Sequence, residues 1–437
     1  MATARDDSTK HRRTGFKSMK DRPITVIRAG AIRDAGGRAV RARPGAVALA
    51  GGRILAAGRD DDMPAHPDRV IDLRNRLVMP AFVNAHAHLD LTDLGPLPYT
   101  GDFTAWLANV ARARPADDTA LAAAVRHGIR QSRDAGVGCV GDIAHHPAAI
   151  RARQHQQMPG VSYLELLGIG ATQADRIEQA RQRLEGLRFD APAAGGHERA
   201  VVGLSPHSPY TAGPDIFDWA DRMSEDHAYR LCTHAAESRD EIAFLRDGSG
   251  PVADHLRRFG LSDADIASMV TGQHPIDLLD HAMRRGRWML VHCNYLDDDH
   301  IRLIRRRGAT VAYCPIASEY FGHTGHRYRD LLDAGVPVAL GTDSVVCQPP
   351  SEPQPLGILP QMRRLYRRDG ADPPTLLAMA TVHGMQALQL PDRLATLERD
   401  APALFTTVPF DLDEHAEPLT QALRDDQPAA LLDLTDA

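Results

Sequence analysis

From Leu77 onward the chain keeps one rhythm, and that rhythm limits what it can fold into. Eight short apolar runs, LVMPAFVNAH, VGCVGDIA, VSYLELLG, AVVGLSPH, YRLCTH, WMLVHC, ATVAYCP and VPVALGTDS, alternate with longer amphipathic stretches such as TALAAAVRHGIRQSRDAG and DDDHIRLIRRRG. The second of these ends in arginines and a glycine, a helix stop signal. Apolar runs of this length separated by helical patterns read as βα units of an α/β fold with a parallel sheet. A doubly wound open sheet gives a similar alternation. The run ends decide between the two, because they carry His86, His88, Asp142, Glu165, His207, His234, His292 and Asp343. Metal-type residues on seven of the eight run ends act together only if the sheet closes, so the expected fold is a (β/α)8 TIM barrel with its functional groups at the C-terminal strand ends.

The flanks differ in character. Residues 21–76 read as short strands with glycine turns (ITVIRAG, AVALAGGRILAAG, RVIDL), the first part of a small β-sandwich. The barrel is expected over 77–392, ending in a helix pair, PPTLLAMATVHGMQALQL. Residues 393–437 are expected to return as strands and complete the sandwich from the other chain end. Residues 1–20 are polar and basic, have no apolar core of a secretory signal, and read as a disordered tail. Met19 directly precedes the first strand-like run, which makes it an alternative to Met1 as the start of translation.

Absences exclude several chemistries. The lysines are Lys10, Lys17 and Lys20 alone. The folded body therefore has no Schiff-base lysine, no P-loop lysine and no lysine to bridge two metals. The five cysteines form no C-x-x-C pair, which argues against a disulfide framework or structural zinc and fits a reducing cytoplasm. A net charge of −6 gives no sign of nucleic-acid binding, and no apolar stretch is long enough for a membrane span.

His86 and His88 lie two apart at the end of the first barrel run, where alternate side chains share a face. With His234 and Asp343 they offer three imidazoles and a carboxylate, a donor set that suits one divalent ion, zinc above all and iron as the second choice. Such an ion lowers the pKa of a bound water to about 7. Glu237, three residues after His234, is placed to move protons there, although taken alone an acid opening the helix AAESRDEIAFL is the stronger reading. His292 reads as an acid/base partner or as a buried structural histidine. His207 reads as a substrate contact or a loop-ordering residue, and Trp106 as a substrate contact or a core aromatic.

The motifs PAFVNAHAHLD, LSPHSPYT, THAAES, LVHCNYL, VAYCP, LGTDS and ATVHGMQALQLPDRLATLE, in this order, resemble the amidohydrolase superfamily over Ile24 to Val408. Within it the chain is similar to the branch of chlorotriazine hydrolases, guanine deaminase, and the adenosylhomocysteine and aminofutalosine deaminases. The resemblance implies a single divalent metal held by His86, His88, His234 and Asp343, with Glu237 as proton shuttle and His292 as the acid/base beside it. It also implies a homodimer as one assembly state. Two-metal members usually carry a carbamylated lysine at the fourth strand end, where this chain reads VVGLSPHSPY. The loop CPIASEYFGHTGHRY replaces an Arg-Ser-Asn pattern of many relatives, which makes Glu319 a candidate substrate contact. HCNYL has Tyr295 where relatives often have histidine. The end ERDAPALFTTV lacks common Gly-Lys and Asp-Leu features, so irregular final strands are expected.

The function expected is metal-dependent hydrolytic deamination of an aminated heterocycle, an aminopurine nucleoside-like small molecule. Catalysis would fall to Glu237, His292 and Asp343, and substrate contacts to His207, Trp106 and Glu319. An amino leaving group needs a proton, and Glu237 supplies it, whereas several dechlorinating relatives lack an acid there. The alternatives are hydrolysis of another C–N or C–Cl bond, and a non-catalytic scaffold.

Overall fold

The computed structural model describes residues 22–34, 41–115, 117–156, 158–187, 201–432 and 434. The expected tail 1–20 and Met19 lie outside them. The chain opens with strands β1 (Ile24–Arg33), β2 (Arg41–Ala42), β3 (Gly45–Ala50), β4 (Arg53–Arg59) and β5 (Arg69–Pro80). The barrel strands follow as β6 (Phe82–Ala87), β7 (Val137–Ala144), β8 (Gly160–Leu166), β9 (Val201–Pro206), β10 (Arg230–Ala235), β11 (Trp288–His292), β12 (Thr310–Tyr313) and β13 (Val338–Leu340). Each expected run is a strand, and β6 to β13 pair in sequence order, all parallel.

The ends of this sheet meet. Ala87 bridges Asp343 in parallel, and the N–H groups of Thr342 and Asp343 both donate to the His86 carbonyl at 3.0 Å. Asn84 completes the seam, with Nδ2 donating to Thr342 Oγ1 at 2.7 Å and Oδ1 accepting from Thr342 N at 3.1 Å. The barrel is thereby closed at the strands that carry His86 and Asp343.

Alternate residues of the strands, among them Val83, Ala85, Cys139, Ile143, Val161, Tyr163, Cys232, Met289, Val291, Ala312 and Ala339, form one buried cluster with Met385, Leu388 and Leu394. The period-two pattern identifies these as the interior set. The helix Val382–Leu388 and the turn Asp392–Ala395 therefore plug the barrel. The larger apolar cluster lies outside, between strands and helices, and includes Phe82, Val125, Ile129, Trp288 and Leu376. Caps fix the helices in register: Asp117 accepts from Ala120 N at 2.8 Å, and Asp297 from His300 N at 3.0 Å. The helix Asp298–Arg307 stops at Gly308, whose φ of 64° suits glycine.

The two chain ends build one mixed sheet, in the order β15-β14-β5-β1-β3-β4 with β2 beside β1. Here β14 is Phe405–Pro409 and β15 is Ala430–Leu431. Hydrogen bonding thus joins the expected sandwich strands into a single sheet. β5 continues to Pro80, four residues into the expected barrel, because Leu77 to Pro80 pair with β14. Of the final strands, for which irregularity was expected, β14 is regular over five residues, ordered by backbone pairing with β5, and β15 is only two residues long. The stretch before it holds a turn and loop instead of a strand. No helix among the described residues is long and apolar enough to cross a membrane.

Candidate active site

His86, His88, His234, His292, Asp343 and Glu237 converge at the C-terminal strand ends. Ring centroids of His86 lie 5.0 Å from those of His88 and His234 and 5.6 Å from that of His292. Asp343 Oδ1 is 3.6 Å from His86 Nε2 and 3.5 Å from His88 Nε2. His86 reaches this side through an irregularity. Val83 and Ala85 belong to the interior set, so plain alternation would turn His86 outward, but the pairing register shifts between Asn84 and Ala87.

The donor set fits a divalent cation. Both ring nitrogens of His86 and Nδ1 of His88 are buried with no hydrogen-bond partner. Such orphaned polar atoms are costly unless something binds them. Burial pushes the His88 and His292 pKa values down to about 3 and lowers His234 well below the usual range, so these rings are neutral and carry lone pairs. His234 Nδ1 donates to the His207 carbonyl at 2.9 Å, which leaves Nε2 free as a ligand atom. Burial alone would raise the Asp343 pKa, but the close His86, His292 and His88 rings hold its carboxyl far below the usual range, in the ionised form.

Glu237 faces the same space. Its Oε1 lies 3.4 Å from His292 Nε2, and burial, followed by the charges of Asp343 and Glu241, raises its pKa well above the usual range. The capping role open to it is filled by others. Ser238 accepts from Glu241 N at 3.1 Å, and Glu241 accepts from the N–H groups of Ala236 and Glu237 at 3.2 and 2.8 Å. Asn294 then fixes the Glu237 backbone, Nδ2 donating to its carbonyl at 2.9 Å, while Ser318 Oγ donates to Asn294 Oδ1 at 2.7 Å.

His88, His234, Glu237, His292 and Asp343 form one wall of a cavity of about 510 Å³. Another wall is apolar, with Phe103, Trp106, Leu107, Val110, Leu256 and Phe259. Trp106 is both cavity lining and core, packed edge-on against Phe321 with centroids 4.8 Å apart. His207 lines the cavity and also orders its loop through Nδ1 and Thr211 Oγ1 at 2.6 Å.

Two expectations need revision. Glu319 does not line the cavity; its carboxylate pairs with Arg364 at 3.1 Å on a half-exposed surface, so the substrate contact expected from its motif position is corrected. The motif position put it near the site, but the helix Pro315–Tyr320 turns the side chain toward another helix. Conversely, a polar group at the cavity went unrecognised. Glu165, noted only as a strand-end polar residue, accepts from His145 Nδ1 at 2.9 Å and lies 3.9 Å from Arg114 Nη1. Burial alone would raise its pKa, but the His145 hydrogen bond and the neighbouring His207 and Arg114 hold it well below the usual range. Arg114 and His145 stand in loops with no motif around them, so only the fold brings them to Glu165.

The model of the family described as Amidohydrolase family matches residues 77–430. The aminodeoxyfutalosine deaminase of Deinococcus radiodurans is 28% identical over 361 residues, 79% of this chain and 81% of that protein. The 5-methylthioadenosine/S-adenosylhomocysteine deaminase of Symbiobacterium thermophilum is 26% identical over 391 residues, 85% of this chain and 82% of that protein. Among solved structures, that of the Helicobacter pylori aminofutalosine deaminase in complex with methylthio-coformycin superposes with a TM-score of 0.78 at 19% identity, covering 92% of this chain and 95% of that one.

Proposed function

The chain belongs to the amidohydrolase family, and within that family we propose that it is a metal-dependent hydrolytic deaminase of an adenosine-like aminopurine nucleoside. The observation that carries this reading is Glu237: a buried carboxyl, raised in pKa, 3.4 Å from His292 and opening onto the same cavity as the three-histidine and aspartate cluster. A halide departs without a proton, whereas an amino group needs one. Relatives named for deamination of adenosine-like compounds support the same class.

His86, His88, His234 and Asp343 are the residues that would hold the ion, and the donor set favours zinc. Bound there, a divalent cation supplies Lewis acidity and acidifies water. The remaining chemistry belongs to side chains. Asp343 Oδ1 accepts the proton that the attacking water loses, with the neutral His292 orienting that water. Glu237 gives its proton to the ring nitrogen beside the reacting carbon, takes up the proton of the added hydroxyl as the carbonyl forms, and delivers it to the departing ammonia; the proton left on Asp343 then restores the acid form of Glu237. The apolar wall of Phe103, Trp106 and Leu107 takes the substrate's flat or apolar parts. Glu165, held ionised, accepts hydrogen bonds from hydroxyl groups such as those of a sugar. The five cysteines are buried and none is in a disulfide, which fits the proposed cytoplasmic setting.

The test is ammonia release by the zinc-loaded protein from adenosine, 5-methylthioadenosine, S-adenosylhomocysteine and aminodeoxyfutalosine, with guanine, cytosine and aminotriazines as outgroups. Release confined to the adenosine-like group is the expected result. Silence across all of them with metal bound would overturn the proposal.

A further inference from the structure

The turn that carries His292 is in an unfavourable conformation. His292 and Cys293 have φ values of 69° and 54°, two consecutive non-glycine residues in the left-handed region. A backbone of this kind persists only where its surroundings hold it. One support is the neighbouring loop, since Cys293 N donates to the Ala235 carbonyl and Asn294 N to the Ala236 carbonyl, both at 3.0 Å. The other comes from a residue 34 positions away. His326 Nε2 donates to the His292 carbonyl at 2.7 Å.

His326 is itself braced. Its ring stacks on Tyr313 with centroids 3.6 Å apart and planes 14° from parallel. Tyr313 lies at the end of β12 and is buried, and its hydroxyl accepts from Arg368 Nη2 at 3.2 Å. Arg368 in turn pairs with Asp369 at 2.8 Å. The tautomer is set by the bond: a carbonyl oxygen only accepts, so Nε2 carries the hydrogen. His326 is not among the residues that line the cavity, so it reaches the chemistry only through His292.

We propose that His326 is a positioning residue for His292: its Nε2–H holds the left-handed turn, and through it the imidazole at 3.4 Å from Glu237. The role rests on the deaminase reading above. It predicts an effect on turnover rather than on substrate capture, because a misplaced acid/base group costs rate while leaving the apolar wall and Glu165 as they are.

Two variants separate positioning from simple support. His326→Phe keeps a ring stacked on Tyr313 and removes the donor. His326→Gln keeps an amide N–H at about the reach of Nε2. On the best substrate, H326F is expected to lower kcat roughly ten- to a hundred-fold with KM little changed and metal content intact, and H326Q to recover most of that loss. In crystal structures of the variants the His292 turn should relax in H326F and stay left-handed in H326Q. Near-normal kcat in H326F, equal losses in both variants, or an unchanged His292 turn in H326F would overturn the proposal. A wild-type protein that turns over no aminopurine nucleoside would instead defeat the deaminase reading, and the crystallographic comparison would still decide on His326.

Discussion

Glu237 shows how neighbours can take over one of two roles that its own position leaves open. An acid three residues past a strand histidine serves equally as a helix-opening charge, and the sequence favoured that simpler job. Ser238 and Glu241 take the capping bonds, so the Glu237 carboxyl is left facing His292. Glu237→Gln should lower kcat by roughly 10²–10⁴ while metal content, read by elemental analysis, is retained. Full metal with near-normal kcat would remove Glu237 from the mechanism. His234→Ala should do the opposite and lose metal at the same loading, because it removes a donor whose orientation is set by the bond to the His207 carbonyl. Residues in contiguous motifs, such as His86, His88, His234 and Asp343, were legible because the runs that carry them all end at one rim of the barrel. Glu165 with Arg114 and His145 was not, since these three share no segment and meet only after the barrel forms. Glu319 failed for the converse reason: a motif position gives the neighbourhood of a side chain, and the Arg364 partner sets its direction.

Among the elements, the eight barrel strands and the closing helix pair could be read from periodicity, and the conformations between them could not. Ala236, His292, Cys293 and Asp343 all have positive φ without being glycine, so no residue type announced the turns that aim the catalytic groups. The register shift that brings His86 inward is equally silent. One of these turns has a titratable support. Glu241 accepts the Ala236 and Glu237 N–H groups, and burial raises its pKa from 4.5 to about 7. The folded state therefore holds this proton more tightly than the unfolded chain does. The stabilisation it gives is complete below about pH 4.5 and is lost as pH rises through about 7. Denaturant unfolding of the wild type should show this loss, on the order of 3 kcal/mol, and Glu241→Gln should remove most of it. An unchanged pH slope in the variant would place that titration elsewhere.

The whole molecule depends on a closure that no single segment encodes. β6 and β13 are 250 residues apart in sequence, yet Asn84 and Thr342 share two side-chain hydrogen bonds at the seam that fixes His86 beside Asp343. Asn84→Ala should cost about 1–3 kcal/mol of stability and lower metal affinity together, measured by thermal unfolding and zinc titration. Lost stability with normal zinc affinity would separate the seam from the site. The joining of both chain ends in one sheet was visible as paired strand-like flanks, but its single-sheet topology and the length of β5 were decided by long-range pairing. In the proposed reaction this closed site replaces an amino group on an adenosine-like ring with oxygen from water. The most direct measurement is the mass of the product formed in oxygen-18 water from whichever nucleoside is turned over. Ammonia and a product whose amino group has been exchanged for one labelled oxygen are the expected outcome. Turnover that leaves the amino group on the ring, or a product without the label, would contradict it.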